Sequence, residues 1–196
     1  RDPETGTHLE RMSRYARLIA KAMASSHSLA DDYVEHIYLF APLHDLGKLT
    51  IPDRILLKQG VLNDDEFAIM KRHAEEGRRL IDKLLENYGL RGISHVQLLR
   101  NIAMHHHEAL DGSGYPSHLA GVEIPLEARI VTVADVFDAL TSQRPYKEAW
   151  SNEAAFAHLR KLAGTKFDPE CVEALIAHAS EVKEIQRAFL EDRYGA

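Results

Sequence analysis

The chain has one cysteine and one tryptophan in 196 residues, and no apolar run approaching a membrane span. A lone Cys171 excludes an intrachain disulfide framework and any thiolate-rich zinc site. Neither a spanning segment nor a secretory signal pattern is present, so a soluble, reducing, cytoplasmic setting is the expectation, with no membrane contact in this segment. Positive charge is scarce as well: 24 Lys and Arg stand against 30 Asp and Glu, for a net charge of −6. That balance argues against broad binding to a nucleic acid polymer or an anionic membrane. An anionic substrate would need local positive charge, from a few basic side chains or from metal ions. The chain opens on Arg1, and we expect residues 1–196 to be a single domain cut from a longer protein. What it does have in quantity is histidine, 12 residues in all.

Apolar residues recur at helical spacing almost throughout. Asp2 and Pro3 can open a first helix with Leu9, Met12, Ala16, Ile19 and Met23 as its stripe. A second is predicted from about Asp31 to Leu46, with Val34, Ile37, Tyr38 and Ala41 inward. Asn63 followed by Glu66 resembles a capping box for a long third helix reaching about Tyr88. A fourth covers about Ser94 to His107, and DGSGYP opens an irregular loop lasting to about Glu123. Another helix starts at Pro125, and shorter ones follow, capped by Ser151 and by Asp168-Pro169. No internal repeat, low-complexity tract or convincing strand ladder is present. The expected fold is an all-α, non-repeating helical bundle.

Polar residues interrupt these stripes in a consistent way. His44 and Asp45 continue the buried face that passes through Ala41, and His73 lies on the face leading to Leu80 and Leu84. His106 extends the stripe of Leu99, Ile102 and Ala103, with His105 and His107 on either side of it. Glu4 and His8 stand four apart and share one helix side. Asp135 and Asp138 interrupt a helix that is apolar nearly all round, where an unpaired carboxylate is costly. One inward histidine is usually a hydrogen-bonded core residue, a Glu-His pair at a helix end is usually solvated, and a core Asp usually pairs with an Arg or caps a helix. Their convergence in one small domain is hard to satisfy without metal.

The ordered segments HDLGKLTIPDRILLKQG, MKRHAEEG, HHEALDGSGYP and RIVTVADVFDALTSQRPYK give the chain its resemblance. It resembles the HD superfamily of metal-dependent phosphohydrolases, and within it the HD-GYP group, whose members hydrolyse cyclic di-GMP. The likeness runs from RDPETGTHLERM to FDPE, nearly the whole chain. It implies an HD-domain bundle and a metal-ligand set of Glu4, His8, His44, Asp45, His73, His106, His107 and Asp135. The pair before Glu108 in the family pattern falls on His106 and His107, leaving His105 outside; the choice of His107 rests on the resemblance. Nitrogen and oxygen donors without sulfur suit iron or manganese. Two or three divalent ions are implied, and Glu4 favours three, with Asp45 as the bridging carboxylate.

The resemblance further implies hydrolysis by metal-activated water, centred on Asp45 and Lys48 and giving linear pGpG, with GMP as a further product. Lys48, Arg144 and Lys147 would contact phosphate. Arg144 could instead pair with Asp138. Tyr115, carried on a loop whose glycines permit a partly positive-φ path and whose Pro116 stiffens the exit, would contact phosphate or guanine, or else pack to order the loop. Asp111 reads as a turn residue or a support for His107. The family also associates the GYP segment with partners such as diguanylate cyclases, and its domains usually follow a sensory or receiver module. Two other readings stay open: a phosphohydrolase for another cyclic dinucleotide or nucleotide, and a non-catalytic cyclic di-GMP sensor or docking module.

Overall fold

The computed structural model describes residues 6–90, 95–143 and 148–194. In chain order the helices are α1 (Gly6–His27), α2 (Asp31–Phe40), α3 (Asp53–Leu56), α4 (Asp64–Lys71), α5 (His73–Asn87), α6 (Val96–His105), α7 (Leu126–Thr141), α8 (Asn152–Leu162), α9 (Pro169–Ala177) and α10 (Ala179–Tyr194). Three short 3-10 turns, Ala41–Leu43, Leu46–Thr50 and Gly121–Glu123, lie between them. Among the described residues there is no strand ladder, only two isolated bridges, and no helix long and apolar enough to cross a membrane. The Asp2-Pro3 cap lies outside the described residues.

Helix α1 is the axis of the bundle and packs against α2, α7, α9 and α10. Its fully buried Met12, Tyr15, Ala16 and Ile19 meet Ile130, Val133 and Phe137 of α7 and Val172 and Leu175 of α9 in one core. Tyr15 and Phe137 meet edge to face, with ring centres 5.1 Å apart. Each large side chain so buried contributes about 2 kcal/mol. A smaller cluster of Ile81, Leu85, Val96 and Ala103 joins α5 to α6, with Leu46 and Leu99 against it.

Local capping explains several boundaries. Asn63 accepts from the Glu66 amide at 2.8 Å while the Glu66 carboxylate accepts from the Asn63 amide at 2.9 Å, the reciprocal box that starts α4. Ser151 caps α8 by accepting from the Ala154 amide, and Asp168 caps α9 by accepting from the Glu170 amide.

Two predicted helices are broken instead of continuous. The second stops at Phe40, not Leu46, because Pro42 supplies no amide and its ring clashes with the preceding turn. The third breaks at Arg72, so that His73 begins a new helix. The inward face of α5 is His73, Ala74, Gly77, Ile81 and Leu85; Leu84, predicted on that face, is 50% exposed.

Candidate metal centre

Both helix breaks lie at the site. The chain leaves α2, turns through Ala41–Leu43 and sets His44 and Asp45 between two 3-10 turns. The second turn, Leu46–Thr50, lies directly on the start of α5. Gly47 is what allows this: a Cβ there would stand 1.8 Å from the His73 carbonyl oxygen and 2.4 Å from the Gly77 amide nitrogen. Backbone is pressed on backbone, and Asp45 is delivered to His73.

Three imidazoles are oriented by the same device. His44 Nδ1 donates to the Ala41 carbonyl at 2.8 Å, His73 Nδ1 to Met70 at 2.7 Å, and His106 Nδ1 to Ile102 at 2.9 Å. With the proton on Nδ1, each neutral ring turns the Nε2 lone pair inward. His44 Nε2 lies 3.1 Å from Asp45 Oδ2, while His73 and His106 lie 3.1 and 3.6 Å from Oδ1. The Nε2 atoms of His73 and His106 are 3.4 Å apart. Donor atoms from Asp45, His73, His106 and His107 all fall within 4.8 Å of one another.

This donor set is made of electron pairs. Asp45 Oδ1 is buried without a hydrogen bond among the described residues, and facing lone pairs at such distances repel unless a cation joins them. Protons are a poor solution. Desolvation lowers the pKa of His106, with Asp45 opposing and His44 and His73 reinforcing. His107 is pushed well below the ordinary imidazole value by burial, then by His106 and His73. Burial works against a charged Asp45, but His44, His106 and His73 hold its carboxyl far below the usual range. The arrangement fits a divalent metal ion.

His8 and Asp135 form a second edge, with Nε2 3.6 Å from Oδ1. On the other side of the ring, His8 Nδ1 donates to Asp138 Oδ2 at 2.6 Å. Arg11 grips that carboxylate through both oxygens, at 2.7 and 2.9 Å. Among the described residues, the arginine that pairs with Asp138 is Arg11 of α1. Arg144, the candidate named from sequence, lies outside the described residues, as do Glu4 and Lys147. Arg11 escaped the sequence reading, although its position three residues after His8, on the same helix side, was available as a signal.

The loop after α6 is tied to the centre by its own side chains. Gly112 takes φ +75°, as the expected path requires. Gly114 serves close approach instead: a Cβ would stand 2.3 Å from the Ala109 amide nitrogen. The buried Glu108 carboxylate accepts from the amides of Ser117 at 2.7 Å and Leu119 at 3.2 Å. Sequence reading used Glu108 only to set the register of the histidines. Asp111 is a turn residue: it accepts from the Ser113 amide and hydroxyl and pairs with Lys166 at 3.0 Å, holding its carboxyl down at about 2.

Tyr115 then stacks on His107, with ring centres 4.7 Å apart. Burial and the charges of Asp45 and Asp135 raise its phenol pKa, against Lys48. Lys48 Nζ contacts Asp45 Oδ2 at 2.7 Å. His105 is outside this group, its Nδ1 3.6 Å from Glu108.

Comparison with known proteins gives this geometry a context. The HD domain family matches residues 4–171. The chain belongs to the HD domain family. The HD domain described here is similar to the cyclic di-GMP phosphodiesterase response regulator RpfG of Xanthomonas campestris, 48% identical over 96% of this chain and 47% of that protein. It is similar to the 3'3'-cGAMP-specific phosphodiesterase 2 of Vibrio cholerae, 40% identical over 98% of this chain and 34% of that protein. The chain thus spans less than half the length of either relative. Among solved structures, Bd1817 of Bdellovibrio bacteriovorus, an HD-GYP-type protein, matches with a TM-score of 0.61 at 20% identity, covering 88% of this chain and 52% of that one. That likeness bears out the all-α HD-domain fold.

Proposed function

We propose that this HD domain is a metal-dependent phosphodiesterase that hydrolyses cyclic di-GMP to linear pGpG, with GMP as a further product. The observation that carries the reading is the convergence of unprotonated imidazole nitrogens on the two oxygens of Asp45. Asp45 divides its oxygens, Oδ2 toward His44 and Oδ1 toward His73 and His106, which suits a carboxylate that bridges two ions. His8, with Asp135, would hold its own part of the cluster, and Glu4 would complete a set for three. A set of nitrogen and oxygen donors suits iron or manganese. A divalent ion held there supplies Lewis acidity, lowering the pKa of water and neutralising phosphoryl charge.

The protein's own groups do the rest. Asp138 and the backbone carbonyls fix which imidazole nitrogen faces inward. The Lys48 ammonium stands one turn from Asp45, where a phosphate oxygen would accept from it. Arg144 and Lys147 would add two cations to the same anion, and the Tyr115 hydroxyl would donate to phosphate or to a base edge.

The curated relatives are what support the substrate. One relative's name specifies cyclic di-GMP and another's specifies 3'3'-cGAMP, so a hybrid cyclic dinucleotide is the second reading. A non-catalytic sensor is the third. A regulatory module fused to this domain belongs to the proposal, since the relative named a response regulator is about twice as long. So do docking of diguanylate cyclase-type partners on the GYP loop and a cytoplasmic site of action, which the free thiol of Cys171 suits. The test is hydrolysis of cyclic di-GMP by anaerobically purified protein of measured metal content, beside Asp45→Ala. Turnover to pGpG, with metal and activity lost together in the variant, is expected. Metal-loaded protein that binds the nucleotide and leaves it intact would overturn the enzyme reading for the sensor.

A further inference from the structure

Helix α4 carries a large ring that the core does not claim. Phe67 is 46% exposed, and none of the residues of α4 is fully buried. Four residues on, and so on the same helix side, Lys71 holds its ammonium 5.2 Å from the Phe67 ring centre and 5.9 Å from that of Tyr115. Phe67 and Tyr115 meet edge to face at 6.3 Å, and Tyr115 in turn stacks on His107. A chain of rings therefore runs outward from the metal-binding cluster and ends in an exposed aromatic with a lysine between the last two members. The acids of α4 (Asp64, Asp65 and Glu66) are in its first turn, and Glu66 is engaged by Lys58. Among the described residues Lys71 makes no ion pair.

We propose that Phe67 and Lys71 form a guanine subsite beside the metal centre, Phe67 as the stacking surface and Lys71 as the group that reads the base. The inference rests on the phosphodiesterase reading, because a diester held at the metal cluster puts its own purine within reach of the adjoining rings. An exposed aromatic face stacks any base. Lys71 supplies the choice. Guanine presents two acceptors, N7 and O6, on one edge, whereas adenine replaces O6 with an amino donor. An ammonium donates only, so it satisfies the guanine edge and opposes the adenine amino group. Phe67 and Lys71 are thus specificity-determining residues for the base, distinct from Lys48 at the phosphate.

The test uses the metal-loaded protein, with kcat and KM measured for cyclic di-GMP, cyclic di-AMP and a small chromogenic diester without a purine. Phe67→Ala should raise KM for cyclic di-GMP by about tenfold, the loss expected of one stacked base, and change the purine-free diester by less than about threefold. Phe67→Trp should restore the KM. Lys71→Met should lower the preference for cyclic di-GMP over cyclic di-AMP by about tenfold. Metal content and melting temperature equal to wild type establish that the variants fold. Equal losses on all three substrates, or no change on any, would overturn the subsite. A wild-type protein that leaves cyclic di-GMP intact sinks the enzyme reading alone. The subsite is then judged by calorimetric binding of cyclic di-GMP: a tenfold weakening in Phe67→Ala upholds it, and unchanged or undetectable binding overturns it.

Discussion

The Asp138 carboxylate accepts from His8 Nδ1 at 2.6 Å, and this one contact turns His8 Nε2 toward Asp135. Arg11 holds Asp138 still from the far side. A metal-facing imidazole is commonly oriented and made more basic by such a carboxylate, and removing it typically costs 10–100-fold in metal affinity. Asp138→Asn puts an amide where the His8 N–H and the Arg11 guanidinium now meet a carboxylate. Chelator competition should find its divalent-metal affinity weaker by about tenfold or more, with the far-ultraviolet spectrum unchanged. Unaltered affinity would show that His8 is held by other means.

The same carboxylate gives a pH dependence with a defined sign. Burial would raise the Asp138 pKa, but His8 and Arg11 outweigh it and hold the value below the ordinary range. A depressed carboxyl contributes stability that is complete above its unfolded pKa, near 4, and is lost as pH falls through the lower folded value. In urea unfolding of chelator-treated protein, the gap between wild type and Asp138→Asn should be constant from about pH 7 to 5 and close progressively below about pH 4. A gap indifferent to acid would refute the assignment.

The elements legible in the sequence are those set by local chemistry. The Asn63/Glu66 box, the Ser151 and Asp168 caps and the buried stripe of α1 need nothing beyond their neighbours in the chain. The two breaks at the site do not arise that way. Pro42 is visible as a breaker, yet the apolar face through Ala41 continues to His44, so periodicity alone runs the helix on. At Arg72 no breaker residue stands at all; the turn Leu46–Thr50 packs on the start of α5 through Gly47, and that contact is tertiary. The inward positions of His44, Asp45, His73 and His106 followed from the stripes. The distinction between His105 and His107 did not, because both flank His106 equally on a helical wheel. What separates them in space is Tyr115, eight residues further along, stacked on His107. Arg11 and Glu108 were missed as supports for the same reason: their partners are distant in sequence or are backbone amides.

Gly47 offers a direct check of how tightly the turn and α5 are joined. The added methyl of Gly47→Ala would meet the His73 carbonyl at 1.8 Å, so the turn carrying Asp45 must move away from His73. Overpacking of this kind costs about 1–3 kcal/mol, and a displacement of about 1 Å at a reacting centre can cost about a hundredfold in rate. Gly47→Ala should melt at lower temperature, bind less metal and lose at least that much diester turnover. A variant with normal metal content and turnover would mean that the backbone contact is looser than the geometry states.

Substitution of Glu108 separates the loop's contribution from that of the metal. The Glu108 carboxylate is buried and accepts from the amides of Ser117 and Leu119, both on the segment that returns from Tyr115 and Pro116. Removing the acceptor leaves two amides to be rehydrated, and hydrogen bonds to a charged group are worth about 1.5–3 kcal/mol each. In Glu108→Ala the segment 109–120 should open to proteolysis first, before the helices. Tyr115 would then lose its fixed place against His107, so KM for the diester should rise while metal content stays near wild type, since His106 is held by the Ile102 carbonyl of α6. Glu108→Gln retains one acceptor oxygen but sets an amide donor against the second N–H, and should fall between wild type and Ala in both protease sensitivity and KM. Loss of metal in step with loop opening would instead make Glu108 part of the support of the histidine pair, and the loop and the metal centre would be one cooperative unit.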